Sequence, residues 1–279
     1  MKLMDPRSLR FIAAAIVVLN GFFPALWILL TSLKTEAELV AKPITYWPHN
    51  PTLQNYVQAF TDQPLLRYLG NSAMVAVGST VLSLFVAALA AYAIARLNLK
   101  RRQLILTCIV ASSMFPLVTL LVPIFETMRT LGLLNSYTAL VLPYIVLNLP
   151  VCTLVLVSFF QSIPKDLYEA AEVDGASKLR QHFYITIPML SNVTFFNLVI
   201  GIIGALQVFA EPFVLTNGTG SPNNATLLLP LYLYRVAFTY LEMGYASAIA
   251  WVVFAITLVL TVLVFRSLPM WVHTEAGED

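Results

Sequence analysis

Apolar and polar residues in this chain are segregated into blocks rather than alternating. Six runs, residues 11–31, 71–95, 103–125, 137–160, 189–210 and 244–265, contain no Lys, Arg, Asp or Glu. A helix of about 20 apolar residues, rising about 1.5 Å per residue, crosses a hydrocarbon core about 30 Å thick. Lipid offers no hydrogen-bond partners, so a spanning backbone must satisfy its own polar groups, and the pattern predicts six helices. Pro24, Pro116, Pro123, Pro143 and Pro150 interrupt several runs. Such prolines are tolerated where neighbouring helices or water meet the freed carbonyls, and kinks in a bundle are their ordinary reading. Between the first two runs, residues 34–69 form a long segment with Pro43, Pro48, Pro51 and Pro64, predicting a loop with a short helix over 53–60. The stretch TLLLPLYLYRVAFTY, residues 226–240, is too short to span and contains Arg235; it predicts an interfacial helix. The expected fold class is an all-α membrane protein with six transmembrane helices in a single domain, residues 1–279.

One polar island breaks the second half of the chain. Residues 164–188, PKDLYEAAEVDGASKLRQHFYITIP, carry Lys165, Asp166, Glu169, Glu172, Asp174, Lys178, Arg180 and His182, between uncharged stretches 130–163 and 183–210. Pro164 at a helix start and Asp166 in the first turn predict a helix. Gly175 predicts its end, because a left-handed cap conformation favours glycine. Leu167, Ala170, Ala171 and Asp174 share one face by their i, i+3, i+4, i+7 spacing. A second short helix is expected from near Ser177 to the Ile187–Pro188 step, giving a helix, a turn and a helix that lie flat against the inner face. Such a unit could work as a lever joined to two spanning helices; an ordinary solvated loop is the alternative that these residues leave open.

Composition sharpens the class. Of 279 residues 59% are hydrophobic and 11% charged, whereas soluble domains carry about 25% charged residues. A net charge of +2 gives no reason to expect nucleic acid. Eleven of the sixteen Lys and Arg lie on one set of helix ends: Lys2, Arg7, Arg10, Arg96, Lys100, Arg101, Arg102, Lys165, Lys178, Arg180 and Arg266. Lys34, Lys42, Arg67, Arg129 and Arg235 lie on the other. The asymmetry predicts that both termini and the island are cytoplasmic. The first run is too long for a signal-peptide core and is expected to remain as an anchor. Cys108 and Cys152 sit inside apolar runs and read as buried small hydrophobes rather than a disulfide or metal site.

The island's EAAEVDGASKLRQHFYITIP is similar to the EAA loop of the permeases of binding-protein-dependent ABC importers. Glu169, Ala170, Ala171, Gly175, Ile185 and Pro188 fall in register, with Ile187 where that family usually has Leu. SLKTEAEL, WPHNPTLQNYVQAF, YLGNS and LAAYAIAR resemble the smaller six-span permease of maltose-type carbohydrate importers. VLTNGTGSPNNATLLLPLYLYRVAF and GYASAIAWVVF look more like its larger partner, so both permease positions stay open. The resemblance implies the type I importer permease fold in a bacterial inner membrane, a second permease subunit, two copies of a cytoplasmic ATP-binding subunit and an extracytoplasmic sugar-binding protein. ATP and Mg would bind the partner ATPases, this chain holding no cofactor; it lacks the G-x-x-x-x-G-K-[ST] phosphate loop. Glu169, Ala170, Ala171, Asp174, Gly175, Leu179, Ile185 and Pro188 are the implied ATPase-coupling residues, with Glu169 expected to pair with the ATPase.

Other candidates rest on polarity at depth. Asn148, Asn192, Asn197 and Gln207 interrupt apolar runs and mark either a substrate pathway or interhelix hydrogen bonds. Glu211 reads as a gate residue or a helix cap. Asn217, Gly218 and Gly220, in the turn 216–226, could reach the binding protein or form a plain surface loop. No catalytic or metal-ligating constellation is expected, since His49, His182 and His273 all lie outside the runs. An importer of a non-sugar solute is the nearest rival. An ion-coupled carrier is disfavoured by the absence of ionisable residues within the six runs.

Overall fold

The computed structural model describes residues 6–61, 64–97, 99–220 and 226–271. Thirteen α-helices follow one another among these residues: α1 (Pro6–Ser32), α2 (Glu36–Leu39), α3 (Gln54–Thr61), α4 (Leu65–Arg96), α5 (Arg102–Ser113), α6 (Leu117–Thr130), α7 (Thr138–Ser162), α8 (Lys165–Val173), α9 (Lys178–Gln181), α10 (Ile187–Leu206), α11 (Ala210–Thr216), α12 (Leu229–Tyr234) and α13 (Met243–Trp271). Single π-helical turns occupy His182–Thr186 and Arg235–Thr239. Among the described residues five helices are long and apolar enough to cross a membrane, six if the bent pair α5–α6 is one span. The chain forms two compact units, Met1–Leu66 with Tyr232–Ile256, and Arg67–Leu231 with Thr257–Asp279.

Three boundaries depart from the sequence expectation, each at a proline. The run 103–125 is not one helix: α5 and α6 meet at 94°. Pro116 precedes α6 in an extended conformation. A continuous helix there would lose the bond its missing N–H cannot make, and the residue before proline avoids helical geometry. The run 189–210 likewise ends early, α10 stopping at Leu206 and α11 starting at Ala210. In one continuous helix the Pro212 ring would crowd the Val208 carbonyl; the break puts Pro212 in a first turn, where no bond is lost. At the island the departure runs the other way. The second short helix does not stop at the Ile187–Pro188 step: Lys178–Leu206 is one continuous helical path. Its π turn lets the Ile187 N–H reach the His182 carbonyl, the wider winding that accommodates Pro188.

In the first unit the segment that follows α1 is tied to the end of that helix. Asn55 Nδ2 donates to the Ser32 and Lys34 carbonyls at 2.8 and 3.0 Å. The Ser32 and Tyr56 hydroxyls lie 2.7 Å apart. Lys34, 2% exposed, donates to the Thr45 carbonyl and lies over the Trp27 ring. Glu38 accepts from the Thr45 hydroxyl and the His49 backbone N–H at 2.9 and 3.0 Å. The expected helix over 53–60 is α3.

In the second unit, α4 and α7 pack through small residues. Ala87, Ala91 and Ile94 meet Leu156, Val157, Phe160 and Ile163, with Leu190 and Val193 of α10 completing the cluster. Two alanines one turn apart let the backbones approach closely, the packing that drives helix association in lipid. Farther along α4, Gly201 of α10 faces Thr80, and a Cβ there would lie 2.6 Å from Thr80 Cγ2. Large side chains such as Phe22, Leu89 and Phe254 face outward, as lipid permits and water would not.

Gly201→Ala is expected to destabilise the protein by about 1–3 kcal/mol through overpacking, despite alanine's better helix propensity. The drop in thermal midpoint in detergent should be reversed by adding Thr80→Ser, which removes the methyl that clashes. The Glu38 carboxyl is held below its ordinary value of 4.5, chiefly by the His49 backbone N–H; partial burial opposes this, and the Thr45 hydroxyl and His49 ring add to it. A depressed carboxyl stabilises the fold above its unfolded-state value and loses that contribution as pH falls through the folded-state value. Hydrogen exchange in residues 41–52 should therefore rise below pH 4.5, relative to intrinsic rates, and Glu38→Gln should abolish that pH dependence.

Candidate functional site

The polar island folds as a helix, a left-handed turn and a second helix. The α8 helix ends at Gly175, whose φ of +75° is the conformation an L side chain resists. The Gly175 N–H donates to the Glu172 carbonyl at 3.1 Å and the Ala176 N–H to the Ala171 carbonyl at 2.9 Å, closing the cap. Ser177 then starts α9, its hydroxyl accepting from the Arg180 N–H at 3.4 Å. Gln181, 4% exposed, donates its amide to the Ala176 carbonyl at 3.0 Å.

Tyr168 fastens this unit to the helix ends. Its hydroxyl lies 3.0 Å from that of Thr186, and the Arg96 guanidinium stacks 4.4 Å from its ring centre. Arg96 also donates to the Ile163 carbonyl at 3.3 Å. Tyr92 of α4 makes edge contacts with both Phe160 and His182. Tyr168 and Ala171 therefore face inward, and Leu167, Ala170 and Asp174 are exposed. Asp166, Glu169, Ala170 and Val173 share the outward face, Val173 being 87% exposed. Leu179 on α9 is 72% exposed. Ile185 and Pro188 are half-buried in the path from α9 into α10.

The second unit also contains an open cavity of about 600 Å³. Its polar lining comes from Thr80 and Ser83 on α4, Ser112 and Ser113 at the end of α5, Tyr144 and Asn148 on α7, Asn197 on α10 and Glu211 on α11. Asn148 and Asn197 were singled out from sequence; Asn192 and Gln207 are exposed and do not line it. The amides of Asn148 and Asn197 donate to the carbonyls four residues back, at 2.9 Å each. Ser112 and Ser113 likewise turn their hydroxyls onto their own helix, at 2.8 and 2.7 Å. Thr80 and Ser83 differ: their buried hydroxyls have no hydrogen-bond partner. The buried Tyr144 hydroxyl interacts with the Glu211 carboxyl. Hydroxyls in apolar helices usually bond back to the chain, so only the packing of three helices could show that these do not.

The turn after α11 is built for its own geometry. Asn217 is left-handed at φ 50° and exposed. Gly220 is buried, and a Cβ there would lie 2.7 Å from Leu227 Cβ, so this glycine is required by packing. Residues 221–225 of the expected docking loop lie outside the described residues.

Comparison with known proteins matches this architecture to one family. The chain belongs to the family described as binding-protein-dependent transport system inner membrane component, which matches residues 79–270. It is 54% identical over 234 residues to the sulfoquinovosyl glycerol transport system permease protein of Agrobacterium fabrum, covering 84% of this chain and 81% of that one. It is 32% identical over 212 residues to the trehalose/maltose transport system permease protein of Thermococcus litoralis, covering 75% and 76%. A solved bacterial ABC transporter involved in the import of the acidic polysaccharide alginate superposes with a TM-score of 0.73 at 18% identity, covering 97% of this chain and 99% of that one. The fold is that of a type I ABC importer permease.

Replacing Gly175 by Ala should strain the cap by about 1–2 kcal/mol without a steric clash, since nothing lies within 4 Å of the added Cβ. Amide exchange should quicken in residues 165–177, and Gly175→Asn should be the milder change.

Proposed function

We propose that this chain is one of the two permease subunits of an ATP-driven sugar importer, taking its solute from an extracytoplasmic binding protein. The observation that carries the reading is the cavity, lined by two buried hydroxyls without partners, Thr80 and Ser83, and by the Tyr144–Glu211 pair. An unsatisfied buried hydroxyl costs about 1–3 kcal/mol. A solute rich in hydroxyl groups, donating and accepting in turn, supplies the missing bonds at Thr80 and Ser83 and can join the Tyr144–Glu211 pair. The names of relatives that carry sulfoquinovosyl glycerol and trehalose or maltose support a sugar.

The island is the coupling element of this scheme. The helix before it, α7, carries Tyr144 and Asn148; the helical path after it carries Asn197 and Gly201. Both walls of the cavity are thus covalently continuous with the unit that two cytoplasmic ATPase subunits would grip, Glu169 pairing with a cation of the ATPase and Val173 and Leu179 filling its cleft. ATP and Mg act on those subunits. The second permease completes the pathway, and Asn217 lies on the outer turn toward the binding protein. The distribution of Lys and Arg supports a cytoplasmic island and cytoplasmic termini.

In cells carrying the complete transporter, Thr80→Val with Ser83→Ala should lower sugar uptake about tenfold, the loss of two hydrogen bonds. Glu169→Lys should abolish uptake while the chain still inserts. Unchanged uptake in the double variant removes the cavity from the pathway; unchanged uptake and ATPase association in Glu169→Lys removes the island as the coupling element.

A further inference from the structure

Beside the island lies a second opening, about 500 Å³, between the foot of α4, the start of α5 and the first turn of α8. Arg96, Arg102 and Lys165 line it, together with Leu97, Leu99 and Glu169. Arg96 is fixed in place by the Tyr168 ring and the Ile163 carbonyl. The Nε atoms of both Arg96 and Arg102 are shut away from solvent and have no acceptor. A guanidinium N–H that has lost water without gaining an acceptor is destabilising, and an anion in the opening that both guanidinium groups line would offset that cost through their charge. Glu169 does not provide it: among the described residues no ion pair joins it to either arginine.

The geometry points to a binding site for a phosphate-bearing anion, occupied by the headgroup of an anionic phospholipid. Planar guanidinium groups match phosphate oxygens in paired hydrogen bonds, and basic pockets between spanning helices suit such headgroups. The surroundings favour lipid over free phosphate. Leu97 is 52% exposed at the rim, and Leu104 and Ile105 lie outward on α5, giving the acyl chains an apolar surface directly beyond the cations. The site is separate from the sugar cavity and meets the island at Glu169, on its rim.

The test uses the full chain, purified in neutral detergent, stripped of lipid and offered phosphatidylglycerol or phosphatidylcholine of equal acyl length. Retained lipid is measured by mass. Wild type should hold phosphatidylglycerol several-fold more tightly, and Arg102→Gln should weaken it about fivefold, the contribution of one cation near a phosphate. Arg102 makes no described contact that folding needs, so this variant should remain folded; Arg96→Gln with Arg102→Gln should erase the preference. Lys100→Gln with Arg101→Gln removes two exposed charges from the same turn and should leave the preference intact. Equal retention of the two lipids by wild type overturns the site, as does equal loss in the two double variants, which would mean unspecific surface charge. Displacement of phosphatidylglycerol by inorganic phosphate at millimolar concentration would overturn the lipid and leave free phosphate as the ligand.

Discussion

The arrangement depends on how Tyr168 is held. One ring, pressed under the Arg96 guanidinium and bonded to Thr186, joins the polar island to α4 and to the helical path leading into α10. Without it, α8 would be a nine-residue amphipathic helix with no buried residue of its own, and helices of that length are marginal in isolation. Cation–π stacking and one hydroxyl pair are modest interactions singly. Their importance lies in position: they fix a polar unit against the ends of helices whose other faces are committed to lipid and to one another.

Those helices achieve contact by reducing their own bulk. Ala87 and Ala91 are fully buried against α7, and Gly201 leaves space for Thr80. Small residues also line the cavity, Gly201 and Gly204 on α10 and Ser83 on α4 among them, so the same choice of side-chain volume gives close approach at one point and open space beside it.

Much of this was legible in the sequence, for reasons that are local. Uncharged runs longer than a bilayer's thickness give helices wherever they occur, and Gly175 and Ser177 set the island's turn through cap chemistry that needs only neighbouring residues. The bend at Pro116 was visible as a proline but not as a break, because lipid-buried helices tolerate many prolines. The polar lining of the cavity was half legible. Asn192 and Asn197 look alike in sequence, yet five residues is about 140° around a helix, so only one can face the cavity. Gln207 lies just past the end of α10. Thr80, Ser83 and Tyr144 went unnoticed because their role depends on what α4, α7 and α10 leave between them. The same holds for Tyr168 and Arg96, 72 positions apart.

The unbroken helical path from Lys178 to Leu206 has a geometric consequence. Its 29 residues make a rod about 44 Å long at about 1.5 Å per residue. Tilting such a rod by about 5° at the island displaces its far end by about 4 Å, and Asn197 by about 2–3 Å. Those displacements are comparable to a van der Waals contact distance, so a rotation of a few degrees at the island is enough to make or break contacts around the cavity.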